Sequence, residues 1–490
     1  MNHSTRTYSF LFGIILFVCI SAQAQFEKPN DPSNFIEIGG YSTSSKLTPF
    51  WLQTNQFGIV PKQGPSGTLR LGLEQEWKLS KTDNWKLQAG VEAVGNYATD
   101  VDILLPVAHA TLKYKNWELF VGRKKQWIGL ADSTLGMGSY AWSGNALPTP
   151  RIQIGTNGFV DIPFTKGFLS LNAFYSDGLM EKKRLVTSNI RLHQKQLYFR
   201  LGKTDSKLKL YAGFNHQVQW GGSSPYFAGE EGKLPQNFDT YLRVITGRSG
   251  VQGDTFDIQN RVGNHLGSID FAAEVNIYEF NVLMYRQFVY EDGSLYYLAG
   301  IKDGLNGIRF RKKNNYNPNF NISELVVEFL YTLDQGGPEF IDNIGKKRGR
   351  DNYFNNSQIR DGWGYYDRAI GTPFIPPTSA TISKFPAYSD YFTSNNRVIA
   401  YHLGLKGHVL QHFEWYTKLS YSKNYGAYLA PFHKKITQFS GIFGLQTKLK
   451  MLGGTFIRGS VALDNGHLYA NSWGVNLALR KEGLFSKSLK

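Results

Sequence analysis

The chain has 490 residues, a single cysteine (Cys19), and a formal charge of +16 from 54 Lys and Arg against 38 Asp and Glu. One cysteine excludes a disulfide framework and a thiolate metal site. Past the first 25 residues no apolar run is long enough for a membrane helix, so a bilayer could be crossed only by strands.

The segment Met1 to Gln25 (MNHSTRTYSFLFGIILFVCISAQAQ) opens with Arg6, continues with an apolar stretch from Phe10 to Ile20, and ends in Ala22-Gln23-Ala24. Basic start, short apolar core and small residues predict a signal peptide over 1–24, cut before Gln25. A lipoprotein signal acylated at Cys19 would need a small residue before it, and Val18 stands there. Residues 25–66 hold Pro, Ser and Gly ahead of the first long alternation. They are expected as a short periplasmic element, with Ser42 to Gly58 helical or extended.

Thr68 to Ser80 places Leu69, Leu71, Leu73, Trp77 and Leu79 on one face and Arg70, Glu74, Glu76 and Lys78 on the other. After a turn at 81–84, Trp85, Leu87, Ala89 and Val91 alternate with Lys86, Gln88 and Glu92. The same period returns over 208–220, 269–278, 280–291, 324–333, 396–405, 413–421, 436–449, 455–464 and 472–480. Weaker segments lie between Lys124 and Ile162 and around Ile308. Several runs are long enough to cross a bilayer when tilted. Tyr, Phe and Trp number 28, 34 and 10, with 51 Gly and only 18 Pro, a composition suited to membrane interfaces. The fold expected is all-β: one transmembrane antiparallel barrel over 67–490 with about sixteen to eighteen strands. A large soluble β-sandwich or β-helix is the competing architecture, because periodicity does not say which face points outward. The polar stretches at 221–267 and 334–395 are expected as long outward loops, since such barrels keep their periplasmic turns short.

Several motifs carry a family resemblance: TPFWLQTNQFG (Thr48 to Gly58), GRKKQWIGLADSTLGMGSYAWSGNALPTPRIQIG (from Gly122), QWGG (Gln219 to Gly222), EDGSLYYLAGIKDGLNGI (Glu291 to Ile308), RDNYFNNSQIRDGWGYYDRAIGTPF (Arg350 to Phe374), NNRVIAYHLGLKG (Asn395 to Gly407) and YSKNYGAY (Tyr421 to Tyr428). In this order they resemble the capsule assembly Wzi family of outer-membrane proteins, and DNYFNN with GWGYY is similar to its Bacteroidetes branch. The resemblance implies eighteen strands, a periplasmic helical element closing one end, and a lectin-like protein that holds capsular polysaccharide at the cell surface.

A basic protein outside the cytoplasm meets acidic glycans and lipopolysaccharide phosphates rather than nucleic acid, and Lys and Arg supply charge-assisted bonds to both. The segment 346–374 combines a cationic run with dense aromatics and amides. Its Arg348, Arg350 and Arg368 are expected to meet acidic groups. Tyr353, Trp363, Tyr365 and Tyr366 are expected to offer rings to sugars, with Asn352 bonding hydroxyls. The competing arrangement has the loop folded inward to close the pore, its arginines paired to Asp351, Asp361 and Asp367. No G-x-S-x-G, phosphate-loop or H-E-x-x-H pattern occurs, so neither an enzyme nor a cofactor is expected. His408 and His412 would stand about 13 Å apart on a strand, too far to share a metal. The expected partners are capsular polysaccharide or another acidic glycan, outer-membrane lipids including lipopolysaccharide, and capsule export machinery. The alternative is a porin-like channel for anionic solutes or oligosaccharides, supported by Arg70, Lys78, Lys86, Lys207 and Lys209.

Overall fold

The computed structural model describes residues 34–227, 229–250, 261–291, 298–314, 319–343, 346–382, 390–410 and 412–483. The proposed leader at 1–24 lies outside the described residues. Eighteen antiparallel strands follow in chain order: β1 (Phe35–Thr43), β2 (Ser66–Lys78), β3 (Trp85–Tyr97), β4 (Val101–Tyr114), β5 (Trp117–Arg123), β6 (Arg151–Thr156), β7 (Leu169–Leu179), β8 (Arg191–Leu201), β9 (Leu208–Trp220), β10 (Asn264–Ile277), β11 (Phe280–Glu291), β12 (Gly304–Lys312), β13 (Phe320–Tyr331), β14 (Val398–Val409), β15 (Phe413–Gly426), β16 (Pro431–Leu449), β17 (Thr455–Gly466) and β18 (Ser472–Glu482). The pair Val160–Asp161 extends the β6 position against β7. Each strand pairs with its neighbour, and β1 pairs with β18 from Phe35↔Glu482 to Thr43↔Gly474. The sheet therefore closes on itself and leaves no edge for lipid to meet.

The inner and outer faces follow from the two-residue period. Leu69, Leu71 and Leu73 of β2, Val121 of β5, Ile152 and Ile154 of β6, Phe443 of β16 and Leu477 of β18 are exposed on the outside. Arg70, Glu92, Asp270, Gln287 and Glu328 point inward and are buried or nearly so. An apolar outer wall with a polar interior is the inverse of a soluble barrel, and it decides between the two architectures. At one end, Trp77, Trp85, Tyr114 and Trp117 are exposed on the outer wall, with the Trp85 and Tyr114 rings 4.5 Å apart. Such rings place an interface belt there.

That belt lies at the end of short turns such as 79–84, 115–116, 278–279 and 450–454. The long connections, 44–65, 124–150, 221–263 and 332–397, all emerge at the opposite end, which is the cell exterior. The seam near the short-turn end is held by Glu37, whose carboxylate meets Arg70 at 2.8 Å, Arg458 at 3.1 Å and Arg480 at 3.4 Å.

One expectation fails here and another holds only in part. Residues 34–66 are not a periplasmic element. Phe35–Thr43 is a barrel strand, and the helix that follows, α1 (Phe50–Gln53), sits inside the barrel on the long-loop side. Its Phe50 amide donates to Asp464 of β17 at 2.8 Å and its Trp51 indole to Ser420 of β15 at 3.2 Å. Of the weaker segments expected between Lys124 and Ile162 and around Ile308, Arg151–Thr156 (β6) and Gly304–Lys312 (β12) are barrel strands, whereas residues 124–150 fold into the lumen. α2 (Phe238–Thr246) instead lies on the outer wall, where Val244 joins Val218 and Trp220. Neither described helix is long and apolar enough to cross a membrane.

Candidate functional site

Three connections fill the barrel. In 124–150 the Leu130 amide donates to Asp270 at 2.9 Å, the Tyr140 amide to Gln287 at 3.0 Å, and the Met137 amide to Glu328. His402 of β14 bonds the Leu135 carbonyl at 2.6 Å. The strands' inward polar side chains thus satisfy backbone groups that water would otherwise have to reach. The segment 332–397 lies against the first: Thr372 donates to the Tyr140 carbonyl at 2.8 Å, and Ser143 and Asn145 donate to the carbonyls of Gly371 and Ala369 at 2.7 and 2.9 Å. The main hydrophobic core is consequently luminal, with Trp51, Tyr140, Trp142, Tyr353, Phe354, Trp363 and Phe374 in one cluster.

This placement corrects most of the stacking roles expected for 346–374. Tyr353, Trp363 and Tyr365 are at most 1% exposed, so none presents a ring face to a sugar. Tyr353 donates to Asp303 at 2.9 Å, and Tyr365 accepts from Arg123 at 3.3 Å. Asn352 accepts from Asn396 at 2.7 Å and braces the loop. Arg368 is buried; it donates to Gln53 at 3.1 Å and to the Val60 carbonyl, and burial draws its guanidinium down to about 10. Arg350 is exposed, and its amide donates to the Gly337 carbonyl at 2.9 Å. Arg348 lies on a small ladder with Ile341, but its side chain is outside what is described. The loop folds inward, as the competing arrangement had it, although Arg368 uses an amide and a carbonyl rather than a carboxylate.

Tyr366 is the exception. Gly364–Tyr365 pairs with Arg368–Ala369, and Tyr366 and Asp367 form the two-residue tip with φ of 47° and 53°. Both angles lie in the left-handed region that this tight hairpin demands, normally met by Asn or Gly. The tip is pinned from three sides: Lys62 pairs with Asp367, Ser379 donates to the same carboxylate at 2.7 Å, and Glu181 accepts from the Tyr366 amide. Tyr366 stands out at 54% exposure with its edge toward Tyr365 at 4.8 Å.

Beside it, a cleft of about 520 Å³ at the exterior end is lined by Val60, Lys62, Asp102, Arg123, Tyr366, Asp367 and Arg368. A smaller hollow of about 260 Å³ shares Lys62, Asp367 and Arg368 and adds Gln53, Ser379, Pro376, Pro377 and Tyr469. Burial lowers the Lys62 amine from its usual range, against the pull of Asp367. The combination of an exposed ring, cations, a carboxylate and hydroxyls suits an acidic sugar chain. Lys62 has no local pattern in the sequence that marks it for this role, although it lies close to the TPFWLQTNQFG motif of the resemblance. A separate cavity of about 690 Å³, lined by Arg70, Glu74, Glu92, Lys113 and Lys124, lies toward the short-turn end.

The family model for the capsule assembly protein Wzi matches residues 43–402. The chain belongs to the Wzi family. In structure it is similar to Wzi of Escherichia coli, described as an outer-membrane, carbohydrate-binding β-barrel involved in group 1 capsule assembly: identity is 14%, the TM-score 0.58, and the match covers 92% of this chain and 85% of that one. Two Pseudomonas aeruginosa proteins, OccK5 (OpdH) and OpdL, match at 10% and 9% identity with TM-scores of 0.46 and 0.45, covering 91% and 92% of this chain and 96% and 98% of theirs. No curated protein sequence matches. This Wzi-family barrel resides in the outer membrane.

Proposed function

We propose that this Wzi-family protein is a non-enzymatic lectin that binds capsular polysaccharide at its exterior end and helps attach and assemble the capsule. The observation that carries the reading is the cleft beside Tyr366, where an exposed ring stands next to Lys62 and Arg123 above a filled lumen. The signal peptide at 1–24, contacts with outer-membrane lipids and lipopolysaccharide, and docking to export machinery belong to the same proposal. Within the expected segment, Tyr366 contacts sugar directly and Arg368 positions the cleft from beneath. A strain lacking the gene is expected to make polysaccharide of normal length yet release it into the medium. A normal capsule layer in that strain overturns the reading.

A channel for anionic solutes would need an open lumen. The 124–150 segment is bonded across it to Asp270, Gln287 and Glu328, and 332–397 is bonded to that segment in turn, so purified protein in a planar bilayer is expected to conduct poorly.

A further inference from the structure

We propose that the outer wall of β8 to β13 carries a binding groove for lipopolysaccharide, its acyl chains lying in the groove and a phosphate of its lipid A meeting Arg286. The proposal rests on the placement of the barrel in the outer membrane and not on the glycan reading.

Two adjacent rows of outward side chains form the groove. Cross-strand register places Phe199, Ala212, Phe271, Arg286, Asn306 and Phe329 in one row. The next row toward the short turns runs from Leu201 through Ala273 and Met284 to Val327. Ala212 and Ala273 are small where their neighbours are large, so the wall is dented rather than level. The cavity measures about 870 Å³. Phe271, Met284 and Val327 on its walls are 51%, 44% and 44% exposed.

Arg286 is out of keeping with such a surface. A cation on the lipid face of a barrel is costly toward the midplane and tolerated near an interface. Its guanidinium is drawn toward the exterior end, donating to Asn306 at 2.6 Å and to the Ile301 carbonyl at 2.7 Å, and it lies 4.2 Å from the Phe288 ring centre. Those partners fix its position but carry no charge. Among the described residues no carboxylate comes within ion-pair distance of it, whereas Arg70, Arg200, Arg309 and Arg311 on the inner face each have one. An arginine held at the head of an apolar groove, influenced by Asp303 but with no described carboxylate in ion-pair contact, and on the exterior half of the wall, is complementary to a lipid that joins acyl chains to a phosphate in the outer leaflet.

The test uses the whole mature protein, stripped of lipid by extended detergent washing and titrated with lipid A under native mass spectrometry. Wild type is expected to take up one lipid A per barrel. Arg286→Gln should weaken that uptake about ten-fold, the scale of one hydrogen bond to a charged group, and lipid A without phosphates should bind wild type as weakly. Ala273→Phe, which fills the dent from outside and touches nothing in the lumen, should weaken it also and keeps the test open if Arg286→Gln does not fold. Equal uptake by all three proteins overturns the proposal, as does equal competition by phosphatidylglycerol. Cross-linking of two barrels through Ala273→Cys would assign the groove to a second copy and overturn it too. Polysaccharide binding by Tyr366→Ala reports separately on the glycan reading.

Discussion

Asp132 of the inward-folded segment faces Arg309 of β12 at 3.5 Å, and both side chains are almost wholly buried. The same carboxylate accepts from the amides of Leu135 at 2.7 Å, Thr134 at 3.0 Å and Gly136 at 3.2 Å. One residue thereby shapes a turn of the plug and ties it to the wall. Burial alone would raise this carboxyl, but the Arg309 charge and the Leu135 and Thr134 amides hold it below the ordinary carboxylate range.

Breaking a buried pair from one side leaves an uncompensated charge, a cost of about 3–5 kcal/mol. Arg309→Ala is therefore expected to free the 124–150 segment while the barrel, held by its strand pairing, stays closed. Single-channel recording would show conductance well above wild type. A variant as silent as wild type would mean that Asp132 does not hold the plug.

Trp363 separates burial from binding. Its side chain is completely enclosed in the luminal cluster, so Trp363→Ala should destabilise the inward loop by about 3–5 kcal/mol, the usual scale for emptying a buried aromatic site. Protease cleavage within 346–374 would then appear under conditions where wild type is resistant. If cleavage is unchanged and glycan affinity alone falls, the ring contacts sugar after all.

The loop also has a pH-dependent fastening. Asp303, in the connection before β12, accepts from the Gln335 amide at 2.6 Å, the Asp334 amide at 3.0 Å and Tyr353 at 2.9 Å, and burial raises its carboxyl to about 6. A carboxyl raised in the folded state adds stability that is complete below its unfolded value, near 4, and is lost as pH climbs through about 6. Protection of the Asp334 and Gln335 amides, taken as exchange relative to the intrinsic rate at each pH, should accordingly be greater at pH 4 than at pH 8. Asp303→Asn should flatten that difference; a pH profile unchanged by it would exclude Asp303 as the cause.

The strands were legible where alternation runs a full bilayer crossing, as in Thr68 to Lys78, because lipid outside and polar lumen inside impose opposite demands on successive residues. β1 escaped notice because Gly39 and Gly40 interrupt its pattern after Ile38, and its inward Phe35 breaks the polar rule by stacking beneath Arg480, 3.5 Å from the ring centre. The plug was misread for a related reason. Ile128, Leu130, Met137, Tyr140 and Trp142 are apolar enough for strands, and only the tertiary fold shows that they share one cluster within the barrel. The same ambiguity affected 346–374, where an enclosed Trp363 and an outstanding Tyr366 are alike in sequence. Lys62 and Asp367 meet across 305 positions, which no local pattern announces.

The most direct measurement is equilibrium binding of the cell's own purified capsular polysaccharide to detergent-solubilised protein, comparing wild type with Tyr366→Ala at low and high salt. Losing an exposed aromatic contact should weaken binding about ten-fold with the thermal unfolding temperature unchanged, and salt should weaken both proteins by screening Lys62 and Arg123. Failure of wild type to bind, or identical affinity in the two proteins, would contradict the account.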